Sequence, residues 1–269
     1  MRIAARTALQ RCVTYPVLSP IMIAYGLTKN HRLLDHMYSI RSIPHGVVLK
    51  HGLRMAKYDG KTMFFPSRED PNFDDVFLRD VYHPYKPQAR DVVFDVGAHM
   101  GFFTLRVARH VARVLAFEPD PYNYAFLSLN IGYNKATNVK TINCALGEKD
   151  GSLFLNNYYG HGRTRVSGTK TGSETAVRRI DSVVENEKTV PSVIKIDTEG
   201  YELKVLEGAK QTLATHKPRL IIASYHYPTE LKEVAEFLRS MDYLCLVYRI
   251  PYALQTSREA YVIAEPLHG

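Results

Sequence analysis

Residues 91–105 read Asp91-Val92-Val93-Phe94-Asp95-Val96-Gly97-Ala98-His99-Met100-Gly101-Phe102-Phe103-Thr104-Leu105. The mostly apolar run 91–96 has the length and β-branched content of one buried strand. Gly97 and Gly101 then let the chain turn sharply and approach a neighbour closely, because a residue without a Cβ accepts backbone angles that others resist. Residues 102–111 return to apolar spacing near 3.6, the period of a helix. Strand, glycine turn and helix in that order open a parallel sheet covered by helices, and the first turn of such a helix presents free N–H groups to a ligand.

The alternation continues downstream. Apolar runs at 114–117, 139–144, 192–197, 219–224, 243–248 and 260–264 read as strands, and 122–133, 202–215 and 229–241 as helices. This pattern predicts an α/β fold with a parallel sheet between two helical layers. Residues 156–176 break the rhythm. They are rich in Gly, Asn, Thr and Ser, carry Arg163, Arg165 and Lys170, and read as an exposed loop of the kind that covers a site. Upstream, 46–66 alternates around Tyr58-Asp59-Gly60-Lys61 as a hairpin would, a helix is expected over about 72–82 before Pro84 and Pro87, and 1–45 reads as helical and broken by prolines. The expected division is an appendage, 1–70, and a main domain, 71–269.

The chain has 269 residues, 45% hydrophobic and 23% charged, enough for a core that needs neither disulfides nor a structural metal. Cys12, Cys144 and Cys245 lie far apart, which suits a reducing, cytoplasmic setting. Of the formal charge of +8, residues 1–60 carry nine Lys/Arg against two Asp/Glu, so the remainder is nearly neutral. Such a basic block suits nucleic acid, a phosphorylated substrate or peripheral contact with an anionic membrane, and equally a solvated helical face. Arg2, Arg6 and Arg11 precede an apolar stretch, 13–27, but Pro16 and Pro20 interrupt it and no small-residue cleavage pattern follows, so it reads as a helical appendage rather than a leader or a span.

Glu118 ends the next strand, at the distance expected of an acid that binds ribose hydroxyls. The turn is Gly-x-x-x-Gly and lacks the three-glycine fingerprint that accommodates a dinucleotide's pyrophosphate. Asp95, just before the turn, suits a cofactor with a cationic amino group. S-adenosylmethionine (SAM) offers an ammonium, a carboxylate and a ribose, one for each of these features.

Asp95–Gly101 with Phe102-Phe103-Thr104-Leu105, then Phe117-Glu118-Pro119-Asp120-Pro121, resembles the FkbM family of SAM-dependent methyltransferases. Asn143-Cys144-Ala145-Leu146-Gly147 with Gly151, and Arg179-Ile180-Asp181-Ser182-Val183, are similar to later motifs of that family. The most specific is Ile194-Lys195-Ile196-Asp197-Thr198-Glu199-Gly200-Tyr201-Glu202, running on to Val205-Leu206-Glu207-Gly208-Ala209. The resemblance covers roughly residues 90 to 225. It implies a Rossmann-like class I methyltransferase with a seven-stranded, mostly parallel sheet in the order 3-2-1-4-5-7-6, strand seven being antiparallel. It implies that Gly97, Ala98 and Gly101 border the methionine part of SAM, that Glu118 binds the ribose, and that Asn143 and Ala145 lie near the adenine. Asp95, His99, Phe102, Pro119 and Asp197 complete the cofactor set. The family usually has Asn where this chain has His99.

A second group, Asp197-x-Glu199 with Ser224-Tyr225-His226, falls at the expected carboxyl ends of two strands, where ligands of open α/β sheets sit. Asp197, Glu199 and His226 are the expected catalytic residues, with His226 a candidate base for an attacking hydroxyl. The carboxylates would also suit a helix N-terminus. No His-x-x-His or paired-Asp signature is present, so no metal is expected. The resemblance implies O-methylation of a hydroxyl on a sugar, glycolipid or other small natural product. An RNA methyltransferase using the basic block and a non-catalytic SAM-binding protein are the rival expectations; the chain has no Asn-Pro-Pro-Tyr motif for methylating a base nitrogen.

Overall fold

The computed structural model describes residues 47–49, 53–66, 73–157, 164–167, 172–249 and 260–267. The helical segment expected over 1–45 lies outside them. The described chain begins with an antiparallel sheet of β1 (Val47–Leu49), β2 (Leu53–Tyr58) and β3 (Lys61–Pro66). Asp59 and Gly60 turn β2 into β3 with φ of 51° and 73°, the positive angles that a two-residue hairpin matching strand twist requires. The helix expected over 72–82 is instead a π-helical stretch, Asp74–Arg79. Buried Phe73 and Phe77 stand 5.7 Å and 6.3 Å from the ring of Phe102, so tertiary packing overrides the local preference for an α-helix.

From here strands and helices alternate. The order is β4 (Val92–Val96), α1 (Phe102–Ala108), β5 (Arg113–Phe117), α2 (Pro121–Tyr133), β6 (Val139–Ile142), β7 (Ala145–Leu146), β8 (Gly151–Asn157), β9 (Thr164–Ser167), β10 (Ser173–Arg178) and α3 (Ile180–Glu187). There follow β11 (Val193–Ile196), α4 (Glu202–Glu207), α5 (Lys210–His216), β12 (Arg219–Ala223), α6 (Glu230–Ser240), β13 (Tyr243–Arg249) and β14 (Ala260–Pro266). Seven strands form the main sheet in the order β13-β14-β12-β11-β4-β5-β6. Only β14 runs against its neighbours, β12 and β13. This is the expected 3-2-1-4-5-7-6 order. Alternate residues of the central strands feed two apolar layers: Val93, Val114 and Val193 pack on one face, and Phe94, Leu115 and Ile194 on the other. Each such buried side chain contributes roughly 1.5–3 kcal/mol.

Two local expectations are corrected. Part of the exposed loop expected over 156–176 is strand: β7, β10, β8 and β9 form a second sheet in that order. In β10 the buried Thr175 and Val177 alternate with exposed Glu174, Ala176 and Arg178, a period-two pattern hidden by polar composition. Residues 158–163 and 168–171, with Arg163 and Lys170, lie outside the described residues. The helix expected over 202–215 is broken after Glu207, because Gly208 sits where a Cβ would stand 2.0 Å from the carbonyl oxygen of Gly147. Among the described residues no helix is long and apolar enough to cross a membrane.

At the amino end of β4 the buried Asp91 draws several elements together. It accepts from the Tyr85 hydroxyl at 2.9 Å, the Gln88 backbone N–H at 2.8 Å, the Ser192 hydroxyl at 3.1 Å and Arg219 at 2.7 Å. Burial opposes its ionisation, but the Gln88, Tyr85 and Arg219 bonds prevail and hold its carboxyl below the ordinary range. The stability it contributes is therefore present above the unfolded value of about 3.9 and lost as pH falls through its lower folded value. Asp91→Asn should lower the melting temperature at pH 7, and thermal scans should show the gap to wild type narrowing below about pH 4. A gap unchanged across that range would refute the assignment.

Candidate active site

Parallel pairing of β5, β4, β11 and β12 brings their carboxyl ends to one rim, where a cavity with about 1040 Å³ of empty space opens to solvent. Gly97 forms its floor with φ of 73°. A Cβ there would lie 1.9 Å from the carbonyl oxygen of Asp197, so no other residue fits the approach of the turn to β11. The backbone N–H groups of Gly97 and Ala98 donate to the Phe117 carbonyl at 3.1 Å and 2.9 Å, tying the turn to β5. His99 follows at φ of 53°. That left-handed region tolerates Asn and His better than most residues, which accounts for either at this position.

Glu118 is buried at the cavity wall. One oxygen accepts from the His99 N–H at 2.8 Å and the other from the Asp120 N–H at 2.9 Å. Burial pushes its carboxyl above the ordinary range, against the pull of His99 and those two N–H groups. Gly97, Ala98, His99, Phe102, Glu118, Pro119, Ala145, Asp197 and Glu199 all line the cavity.

Three expected cofactor residues stand elsewhere. Asp95 is fully buried; it accepts from the Thr104 hydroxyl at 2.5 Å and pairs with Lys195 Nζ at 3.1 Å, so its carboxylate is committed inside the protein and not to a ligand's amino group. Gly101, at φ of 85°, precedes α1 where a Cβ would meet Leu127 at 2.7 Å; it packs the helix onto α2. Asn143 is exposed and donates to the carbonyls of Glu118 and Pro119 at 2.7 Å and 3.2 Å, bracing the rim from outside.

The expected catalytic residues do converge, in an unexpected electrostatic state. Asp197 accepts from the Tyr82 hydroxyl at 2.9 Å. Its other oxygen is 3.6 Å from Nε2 of His226, and Glu199 approaches the same nitrogen at 3.9 Å. On the far side of the ring, Nδ1 lies 3.2 Å from Glu230 and 3.4 Å from Glu202. Burial disfavours the imidazolium, but the surrounding carboxylates of Asp197, Glu230 and Glu202 outweigh it and push His226 up to about 11. These charges favour the imidazolium, a form that holds Asp197 in place, whereas the expected role of His226 as base needs the neutral ring. Asp197 is held well below the carboxylate range: burial opposes this, and the His226 bond and Lys195 charge prevail. Glu202 is pushed up to about 8 by burial and the adjoining Glu230 carboxyl.

Sequence reasoning missed much of the cavity wall. Tyr82, Phe103, Tyr225 and Tyr261 line one side as an aromatic surface, with Tyr261 5.7 Å from both Tyr82 and Tyr225. Tyr82 and Tyr261 come from segments before and after the recognisable motifs, so no local signal marks them. Lys195 had one: a charge in the middle of Ile194-Lys195-Ile196, a strand of otherwise buried residues. Its Nζ donates to the carbonyl of Gly97 at 2.7 Å as well as pairing with Asp95.

A seven-stranded sheet with one antiparallel strand, a glycine turn after its central strand and a carboxylate after the next defines a class I methyltransferase domain. The model of the methyltransferase FkbM domain matches residues 95–245, and the chain belongs to that family of SAM-dependent methyltransferases. It is 26% identical over 176 residues to methyltransferase sdnD of Sordaria araneosa, covering 52% of this chain and 68% of that protein. It is 28% identical over 150 residues to hexuronic acid methyltransferase AglP of Haloferax volcanii, covering 55% of this chain and 61% of that one. A solved structure, methyltransferase FkbM from Methylobacillus flagellatus KT, shares the fold with a TM-score of 0.53 at 23% identity. The match covers 66% of this chain but only 44% of that one.

Lys195→Met would leave the Asp95 carboxylate buried beside Thr104 without its cation, a change that costs about 3–5 kcal/mol in comparable pairs. Chemical denaturation should show that loss, and adding Asp95→Asn should recover part of it. Equal stability of wild type and Lys195→Met would mean that the pair does not hold β4 to β11.

Proposed function

We propose that the chain transfers the methyl group of SAM to a hydroxyl of a sugar, glycolipid or other small natural product. The observation that carries this reading is the composition of one cavity end, where the carboxylates of Asp197 and Glu199 stand beside the aromatic surface of Tyr82, Tyr225 and Tyr261. Carboxylates accept hydrogen bonds from hydroxyls, and the apolar face of a sugar ring packs on aromatic rings. The similarity to a hexuronic acid methyltransferase supports the same acceptor class.

The wall formed by Gly97, Glu118 and Ala145 suits the donor. Gly97, whose missing Cβ lets the turn pack against the Asp197 carbonyl, lines this wall with Ala98 beside the methionine part, and Glu118 presents a carboxylate for ribose hydroxyls. Cys144, Ala145 and Leu146 offer an apolar wall for the adenine. SAM supplies a methyl group on a sulfonium, which departs as a neutral thioether. The protein's task is then mainly to hold the acceptor oxygen in line and exclude water. Asp197, fixed by Tyr82 and His226, orients the acceptor; Glu199 at the rim accepts its hydroxyl hydrogen.

Glu118→Ala should weaken SAM binding by about ten- to a hundred-fold, on the roughly 1.5–3 kcal/mol of a charged hydrogen bond, and calorimetry on the folded variant reads this directly. Unchanged affinity would remove Glu118 from the ribose site. The acceptor reading is tested by offering labelled SAM with panels of glycans, glycolipids and RNA. Base-stable methyl ethers on a glycan or lipid are expected, lost in Asp197→Asn; label confined to RNA would overturn the acceptor class.

A further inference from the structure

Behind the cavity rim, four side chains from separate elements meet: Asp197 after β11, Glu202 at the start of α4, His226 after β12 and Glu230 at the start of α6. One oxygen of Asp197, one of Glu202 and one ring nitrogen of His226 lie within 4.8 Å of one another. Glu202 and Glu230 are fully buried, and the His226 side chain is 4% exposed. Inside this cluster, His226 Nε2, Glu202 Oε2 and Glu230 Oε1 are buried without a hydrogen-bond partner. Buried polar atoms are nearly always paired, so three orphans pointing into one cluster ask for an explanation. Three carboxyl groups surround a single imidazole here, and Lys195 is committed to Asp95 and the Gly97 carbonyl.

We propose that this cluster is a divalent-cation site for Mg²⁺ or Mn²⁺, with Asp197, Glu202 and a ring nitrogen of His226 as ligands. It rests on the methyl-transfer reading of the cavity and deepens it. Two carboxylates and one imidazole are a donor set of hard to borderline character, suited to such an ion. The His226 ring is already held in the required way: Nδ1 faces Glu230 at 3.2 Å, the carboxylate–histidine pairing that turns the other nitrogen toward a metal. In a six-coordinate ion with bonds of about 2.1 Å, ligand atoms stand about 3 Å apart along an edge and about 4.2 Å across, so only a small closing movement is needed. Asp197 lines the cavity and Glu199 reaches to 3.9 Å from Nε2 on the same side. An ion held here would stand at the cavity edge, beside the proposed acceptor.

The test is a titration of the full chain, stripped with a chelator, with MnCl₂, counting free Mn²⁺ by electron paramagnetic resonance. One saturable ion per chain is expected, displaced by Mg²⁺. Glu202→Gln and His226→Gln should each weaken binding at least ten-fold, and Glu230→Gln, acting through the His226 ring, by about ten- to a hundred-fold. Circular dichroism and a thermal melt of the same samples report that the variants are folded. If the buried variants do not fold, Asp197→Asn, isosteric and partly exposed at the cavity, makes the same comparison. No saturable Mn²⁺ on the folded wild type overturns the proposal, and so does binding indifferent to these substitutions, which would put the ion on the surface. Neither result depends on methyl transfer, which labelled SAM reads separately.

Discussion

The buried pair of Asp95 and Lys195 is the interaction on which the site depends. The two residues face each other in register across β4 and β11, both nearly inaccessible to solvent. A buried ion pair is a weak source of net stability, since desolvation offsets most of the attraction. What it supplies here is position. Thr104 binds Asp95 from α1, and Lys195 binds the carbonyl of Gly97, so one charged pair joins two strands, the glycine turn and the first helix. The cavity floor and the end of β11 that carries Asp197 are thereby held in a single arrangement.

Around that centre the backbone takes unusual conformations where it comes closest to the cavity. Gly97, His99 and Glu199 all lie at positive φ. For Gly97 the reason is steric, because the Asp197 carbonyl occupies the space a side chain would need. His99 in the same region turns its N–H toward Glu118, which fixes that carboxylate from the side of the turn. Strained residues of this kind persist only where surrounding contacts over-determine them, and here the Phe117 carbonyl and the Asp197 backbone do so.

The charges divide into two compartments. Asp95, Thr104 and Lys195 form a closed internal set, whereas Asp197, Glu199, Glu202, Glu230 and His226 form a second that touches the cavity. In the second, carboxylates approach both nitrogens of one imidazole and favour its cationic form. The Tyr82 hydroxyl completes the environment of Asp197 from the π-helical segment's end, which couples the part of the chain preceding the family motifs to the chemistry of the rim.

The order of elements, the parallel sheet and its central glycine turn were determined locally, because strand, turn and helix each follow from periodicity and from backbone demands carried by neighbouring residues. Gly97, Glu118 and Asp197 were legible for the same reason: each sits at a strand end that the pattern itself marks. Tertiary structure alone decided what those groups do. The strand end alone assigns Asp95 to the ligand, whereas Lys195, a hundred residues away in sequence, pairs with it inside the protein. The polar segment 156–176 conceals strands that pair largely with residues 145–146 and 151–155, outside it. His226 looked like a base because a lone histidine titrates near neutrality. Glu202 and Glu230 change that only once the fold closes them around its ring, since a pKa depends on charges within a few ångströms in space and not on neighbours in sequence.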